Sequence, residues 1–236
     1  MSSLLRAGRR VWRAIVPPSF RDRPLAKKIK SYYFRRLGID PHEVVYDLAY
    51  FEREVEHSAA RSAKVMARSI RAGLKPRTVI DVGCGTGALL EEFQKEGCQV
   101  FGLEYAESAL QYCRKRKLDV RKFDLKKMSL TNQPTYDVAI SMEVAEHLPE
   151  TCANRYVLLL TSLSPCVVFT AARPGQGGTD HVNEQPASYW ISKFQSRGFE
   201  RDEILSSRWK LEWESSGSVS SHYYHNLLIF RRSGAT

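Results

Sequence analysis

The 236-residue sequence has no run of about 18 apolar residues, so no membrane-crossing helix is expected. It has no internal repeat and no low-complexity segment. Its five cysteines, Cys84, Cys98, Cys113, Cys152 and Cys166, are odd in number and match no zinc-ligand spacing. That argues against a disulfide framework and for a reducing, cytoplasmic compartment. Hydrophobic residues make up 43% and charged residues 26%, which suits a globular domain able to bury a core without staples.

Acids are scarce at the N-terminus. Residues 1–40 hold 11 of the 36 lysines and arginines but two of the 26 acids, Asp22 and Asp40. The remaining 196 residues, with 25 basic and 24 acidic groups, are close to neutral. The basic character therefore belongs to an extension and not to the domain, which argues against a nucleic-acid surface on the domain itself. No Asn- or Asp-Pro-Pro-Tyr segment for an extruded base is present either.

Within the extension, Leu4, Leu5, Val11, Trp12, Ile15 and Val16 fall on one stripe at helical spacing, with Arg6, Arg9, Arg10 and Arg13 opposite. This predicts an amphipathic helix over 3–16, stopped by Pro17-Pro18. Three readings are open: docking on the domain or a second copy, peripheral contact with an anionic membrane surface, or a targeting or nucleic-acid role. A second basic helix is expected over 24–37, with Leu25, Ile29, Tyr32, Tyr33 and Leu37 apolar and Gly38 closing it. One or two further helices span 42–73, ended by Gly73 and Pro76. The expected organisation is a basic helical extension over 1–40 and a domain over 41–236. The domain divides into a helical lid, 41–76, and an α/β core, 77–236.

From Thr78 the pattern alternates. Strands are predicted over Thr78–Val82, Gln99–Glu104, Val120–Phe123, Tyr136–Met142 and Cys166–Ala171. The helices among them are Gly87–Glu96, Ser108–Arg116 and Thr151–Ser164. Such alternation predicts a doubly wound parallel sheet with helices on both faces. A helix over Pro186–Arg197 and strands near Phe199–Leu205 and His225–Arg231 complete the chain, the last strand expected to be antiparallel.

The first strand runs into Gly83-Cys84-Gly85-Thr86-Gly87, and a helix follows at once. Glycines let the backbone turn tightly and let a ligand approach the amides at the helix N-terminus. The spacing is G-x-G-x-G and not the G-x-G-x-x-G of dinucleotide sites. Asp81, two residues before the first glycine, would repel a pyrophosphate but would pair with an ammonium. That favours S-adenosylmethionine over NAD. Glu104, at the end of the second strand, is placed to accept ribose hydroxyls. Asp124, after the third, is placed to accept from an adenine amino group or to serve as a turn residue. All of these lie at strand C-terminal ends, where open α/β sheets bind ligands.

The segment Val79-Ile80-Asp81-Val82-Gly83-Cys84-Gly85-Thr86-Gly87 resembles the first motif of class I S-adenosylmethionine-dependent methyltransferases. Phe101-Gly102-Leu103-Glu104 resembles their ribose-binding motif. Tyr136 to Pro149, with Glu143, Glu146 and His147, resembles the fourth-strand segment of the small-molecule branch. The resemblance spans roughly Tyr46 to Phe230. It implies a Rossmann-like, doubly wound, seven-stranded, mostly parallel sheet and a methyltransferase using S-adenosyl-L-methionine. The cofactor would then be held by Asp81, Gly83, Cys84, Gly85, Gly87, Glu104, Asp124 and Leu125. Met142 would flank it, and Tyr46, Tyr50 and Phe51 would form a lid.

Methyl transfer from a sulfonium needs in-line placement, and an oxygen nucleophile also needs a proton acceptor. Glu143, His147 and His181 are the candidate catalytic residues. Asn183, Arg173 and Tyr189 are candidate substrate contacts around the Gly-rich loop 173–186. His147, His181 and Glu143 show no metal-ligand spacing, so no metal is expected. The expected reaction is methylation, on a hydroxyl, of a small-molecule acceptor: a sugar, a lipid-linked compound or a secondary metabolite. An RNA or protein methyltransferase using the basic arm and a non-catalytic cofactor-binding scaffold are the competing readings.

Overall fold

Val79, Ile80, Asp81 and Val82 of strand β1 (Thr78–Val82) are all buried, as befits a strand covered on both faces. The computed structural model describes residues 7, 8, 11, 12, 14–17, 29, 32–127 and 134–234. Around β1 the sheet adds β2 (Gln99–Glu104), β3 (Val120–Lys122), β4 (Val138–Met142), β5 (Cys166–Thr170), β6 (Phe199–Arg201) and β7 (Leu228–Arg232), in the order β3-β2-β1-β4-β5-β7-β6. β1 pairs in parallel with both β2 and β4, and β7 runs antiparallel between β5 and β6. The chain moves outward from β1 to β3 and then crosses back to β4. The ends of β1 and β4 therefore flank the switch point where such sheets open a crevice.

Before the sheet lie α1 (Pro41–Val45), α2 (Leu48–Tyr50), a π-helical turn over Phe51–Glu56, and α3 (His57–Leu74). Within it come α4 (Ala88–Lys95), α5 (Glu107–Lys115), α6 (Ala153–Leu163), α7 (Ala187–Gln195), α8 (Glu203–Ser215) and α9 (Ser221–Asn226). One face of the sheet packs on Met66 and Ile70 of α3, Phe93 of α4, and Trp209 and Trp213 of α8. The other packs on Tyr156 and Leu160 of α6 and on Trp190 and Phe194 of α7. Phe194 stacks on Phe230 of β7 with ring centroids 3.9 Å apart.

The chain after Phe199 departs from expectation. The predicted strand Phe199–Leu205 stops at Arg201, because Asp202 turns and caps α8 by accepting from the Leu205 amide at 2.9 Å. Leu205, Trp209 and Trp213 then repeat at helical spacing and bury one stripe. The predicted strand His225–Arg231 begins at Leu228, since His225 belongs to α9.

In the N-terminal segment, residues 7, 8, 11, 12, 14 and 15 are helical. Trp12, 8% exposed, packs with Phe34 and Val44. A Cβ on Gly8 would come within 3.0 Å of the Phe34 ring, so the helix crosses that ring closely. Leu4, Leu5, Arg6, Arg9, Arg10, Arg13 and Leu25 lie outside the described residues. Among the described residues no helix is long and apolar enough to cross a membrane.

Truncating Trp209, fully buried, to alanine is expected to cost about 3–5 kcal/mol in urea unfolding. Ile204→Ala on the same helix, at a side chain 85% exposed, should change stability by no more than about 0.5 kcal/mol. Equal effects would contradict the orientation of α8.

Candidate active site

The glycine turn is strapped to β2. Gly83 and Cys84 donate their amides to Leu103 O at 2.8 and 3.1 Å. Gly85 donates to Glu104 Oε2 at 2.8 Å, while Glu104 Oε1 accepts from Tyr105 and Ala106 at 2.6 and 2.7 Å. Gly83 and Gly87 take φ of 83° and 76° in places where a Cβ would strike Val144 at 2.6 Å and Leu118 at 2.5 Å. A Cβ on Gly85 would meet nothing within 4 Å, because Gly85 faces the cavity.

Beneath the turn Asp81 is 4% exposed and its Oδ1 has no hydrogen-bond partner. Burial, reinforced by the neighbouring Glu104 charge, pushes its carboxyl up to about 8. A cation at this spot would reverse that shift. Burial also raises the Glu104 carboxyl, and its backbone donors oppose the rise. Asp124 accepts from the Lys126 amide at 2.9 Å, a turn-forming bond, and still borders the cavity beside Leu125.

These groups line a cavity of about 1390 Å³. Cys84 and Met142 border it, as do Tyr46, Tyr50 and Phe51 from the segment before the sheet. Its lining also includes Glu143, His147 and His181, together with Gln176, His222 and Tyr223. The structure thus brings Glu143, His147 and His181 to the same cavity as Asp81, Glu104 and Asp124.

Each of the three has a built environment. Glu143 sits at φ 53°, a left-handed conformation that costs a non-glycine residue roughly 1–3 kcal/mol. It is held there by amide bonds to Thr170 Oγ1 and O, and by Asn226 and Gln176, each donating to its carboxylate at 3.0 Å. His147 Nδ1 lies 3.0 Å from Tyr46 Oη, and its ring also meets the Asp180 backbone. Burial, then the charge of His181, lowers His147 to about 4, so it is a neutral imidazole at pH 7. His181 Nδ1 lies 2.8 Å from Glu184 Oε1, and Glu184 also accepts from the Gly175 and Gly177 amides at 2.9 and 2.8 Å. A Cβ on Gly178 would fall 2.3 Å from His181 Nε2, so only glycine leaves that nitrogen room.

Other sequence-predicted residues stand apart from the cavity wall. Gly87 serves the turn and the packing on Leu118. Asn183 is turned inward, 5% exposed, with its Oδ1 accepting from Gln185. Arg173 is exposed and donates to the His225 carbonyl. Tyr189 is on the outer rim, 3.5 Å from Glu150 and beneath Lys193. Glu184, Gln176, Asn226 and His222 were given no role by the sequence. The first two are polar residues in a polar loop, and Asn226 and His222 lie in what read as tail. No spacing motif joined His147 to His181, yet the fold gathers Glu146, His147 and His181 with ligand-capable atoms within 4.8 Å of one another. The absence of a ligand spacing in the sequence therefore did not decide the matter: the three donors meet across a loop 34 residues further along the chain.

Residues 80–160 match a family described as a methyltransferase domain. The ubiquinone biosynthesis O-methyltransferase of Alkalilimnicola ehrlichii is 31% identical over 84 residues, covering 33% of this chain and 34% of that protein. That of Hahella chejuensis is 28% identical over 129 residues, covering 50% and 49%. The matches thus span about a third to a half of these relatives' length. Among solved structures, an amino pentose methyltransferase from Micromonospora echinaspora, with S-adenosylmethionine bound, superposes with a TM-score of 0.57 at 20% identity over 80% of this chain and 97% of that one. Magnesium protoporphyrin IX methyltransferase from Synechocystis gives 0.56 at 19% over 88% and 100%. The strand order and these superpositions show that the chain has the class I methyltransferase fold, and within it residues 80–160 match a methyltransferase domain.

Proposed function

We propose that this protein is a methyltransferase that uses S-adenosylmethionine to methylate a hydroxyl group of a small molecule, such as a sugar, a lipid-linked compound or a secondary metabolite. The observation that carries the reading is Asp81: a buried carboxylate with an unpartnered oxygen, under an open glycine turn, in the cavity that also holds His147 and His181. A buried acid without a partner costs stability, so its retention points to a cationic ligand.

The residues fit that cofactor. Asp81 would take the ammonium, the Gly85 side of the turn the methionine chain, Glu104 the ribose hydroxyls, and Asp124 with Leu125 the adenine end. Met142 and Cys84 would pack beside it, and the segment over residues 41–76 would act as its lid through Tyr46, Tyr50 and Phe51. When bound, the sulfonium supplies the electrophilic methyl group. This chain's part is to place the acceptor oxygen in line, exclude water with the aromatic roof, and receive the hydroxyl proton at the Glu143, His147 and His181 wall. The polar network of Glu143, Gln176 and Asn226 supports an acceptor rich in hydroxyls. Peripheral contact with an anionic membrane through residues 1–16 is supported by Val11 and Ile15, one turn apart and 44% and 71% exposed although Trp12 is docked.

Isothermal titration should show binding of S-adenosylmethionine and none of NAD, with affinity reduced about tenfold or more in Asp81→Ala and in Glu104→Ala. Preference for NAD, or no effect of either substitution, would sink the cofactor assignment. Asp81 has a folded pKa of about 8, above its unfolded value, so the ligand-free protein loses stability as pH rises from about 4 to 8. Asp81→Asn should therefore raise the ligand-free Tm at pH 8.5, by roughly 2–4 °C per kcal/mol recovered, with little gain near pH 4. Flotation with anionic liposomes should lose the protein when residues 1–16 are deleted; equal flotation of both forms would remove the membrane contact.

A further inference from the structure

Among the described residues Asp81 and Glu146 are buried, each with a carboxylate oxygen that lacks a hydrogen-bond partner, and the proposed cofactor would account for Asp81. The other is Glu146, at 0% exposure. Its Oε1 accepts from the Ala172 amide at 3.2 Å, its Oε2 has no hydrogen-bond donor, and the Glu143 carboxylate lies against it and raises its pKa. Its backbone carbonyl accepts from Val182 and Asn183 at 2.9 and 3.1 Å, which ties the Gly-rich loop to the short 3₁₀ turn that carries Glu146 and His147. The imidazoles of His147 and His181 meet edge to face, centroids 5.0 Å apart, beside this carboxylate.

We propose that Glu146, His147 and His181 bind a divalent cation, and that this cation holds the acceptor hydroxyl for methyl transfer. The inference rests on the reading above for the reaction, but not for the site. One carboxylate and two imidazoles form a donor set that suits zinc, manganese, cobalt or iron and leaves coordination positions open for substrate. Bonds of about 2.0–2.2 Å in a tetrahedral set place ligand atoms about 3.3–3.6 Å apart, and the three donor atoms lie within 4.8 Å, so binding requires them to draw in by about 1 Å.

The surroundings supply what a bound imidazole requires. Histidines that ligate metals commonly anchor the other ring nitrogen on a carboxylate, and His181 Nδ1 is so anchored on Glu184. This leaves Nε2 for the cation, and Gly178, packed close against the ring, adds no side chain there. Glu184 in turn is fixed by two loop amides, so the loop holds His181 in one orientation. Glu143 stands beside the set and borders the cavity.

The cation would lower the pKa of the acceptor hydroxyl and orient its oxygen. In the transfer step the O–H proton passes to Glu143, the oxygen forms a bond to the methyl carbon, and the carbon–sulfur bond breaks with its electron pair remaining on sulfur. The products are the methyl ether and S-adenosylhomocysteine, and the cation is neither oxidised nor reduced.

The test is titration of the full chain, freed of metal, with Co²⁺, read by visible d–d absorption, and with Mn²⁺ and Zn²⁺ by calorimetry. One Co²⁺ per chain is expected. Affinity should fall at least about tenfold in His181→Ala and about 10–100-fold in Glu184→Gln, which keeps an oxygen for the loop amides. Both variants should retain S-adenosylmethionine binding, which reports that the fold is intact. No saturable binding of any of the three ions, or binding that both variants leave unchanged, overturns the cation site. Those outcomes leave the cofactor assignment standing, since it is read separately from S-adenosylmethionine binding.

Discussion

The strap between Glu104 and the glycine turn is the interaction on which the rest of the site depends. One side chain at the end of β2 accepts from the amides of Gly85, Tyr105 and Ala106, so it fixes both the turn after β1 and the start of α5. With the Leu103 carbonyl holding Gly83 and Cys84, the turn cannot rise from the sheet edge. The N-terminus of α4 is thereby presented to the cavity, and Asp81 is sealed beneath it. Glu104 keeps further lone-pair capacity for a ligand, so one carboxylate both builds the cradle and completes it.

Electrostatics run against packing at this edge. Asp81 and Glu146 are both buried, each with an oxygen lacking a hydrogen-bond donor; Asp81 lies in β1 and Glu146 just after the neighbouring β4, at the switch point. Burial raises both carboxyls, with Glu104 adding to the rise at Asp81 and Glu143 at Glu146. Left-handed backbone at Glu143 and Asp180 adds strain nearby. The sheet absorbs these costs because its two faces are closed by large aromatic side chains, Trp209 and Trp213 on one and Trp190, Phe194 and Phe230 on the other. A region that spends stability on unpaired acids is a region organised for ligands.

Much of the core was legible because its determinants are local. β1 and β2 begin and end where hydrophobic runs meet glycine and acid, and their predicted bounds coincide with the observed ones. The tail was not, since Phe199–Leu205 contains residues that suit either a strand or a helix. The cap at Asp202 and the burial of Trp209 and Trp213 decide it, and neither is a property of the segment alone. Likewise Arg173 and Asn183 stand in the right loop with their side chains directed elsewhere, while Gln176 and Glu184, from the same loop, do the holding.

By itself the sequence determined the α/β alternation, the glycine turn, the acids at the ends of β1 and β2, and the concentration of basic residues over positions 1–40. Each is written in periodicity, in glycine's conformational freedom or in charge counts over short windows. Only the tertiary structure decided that Glu146 loses contact with water, that His181 is braced by Glu184, and that these two meet His147 around one point. Those relations join residues from a 3₁₀ turn after β4 and a loop after β5. They exist only once parallel strands bring the two connections to the same edge of the sheet.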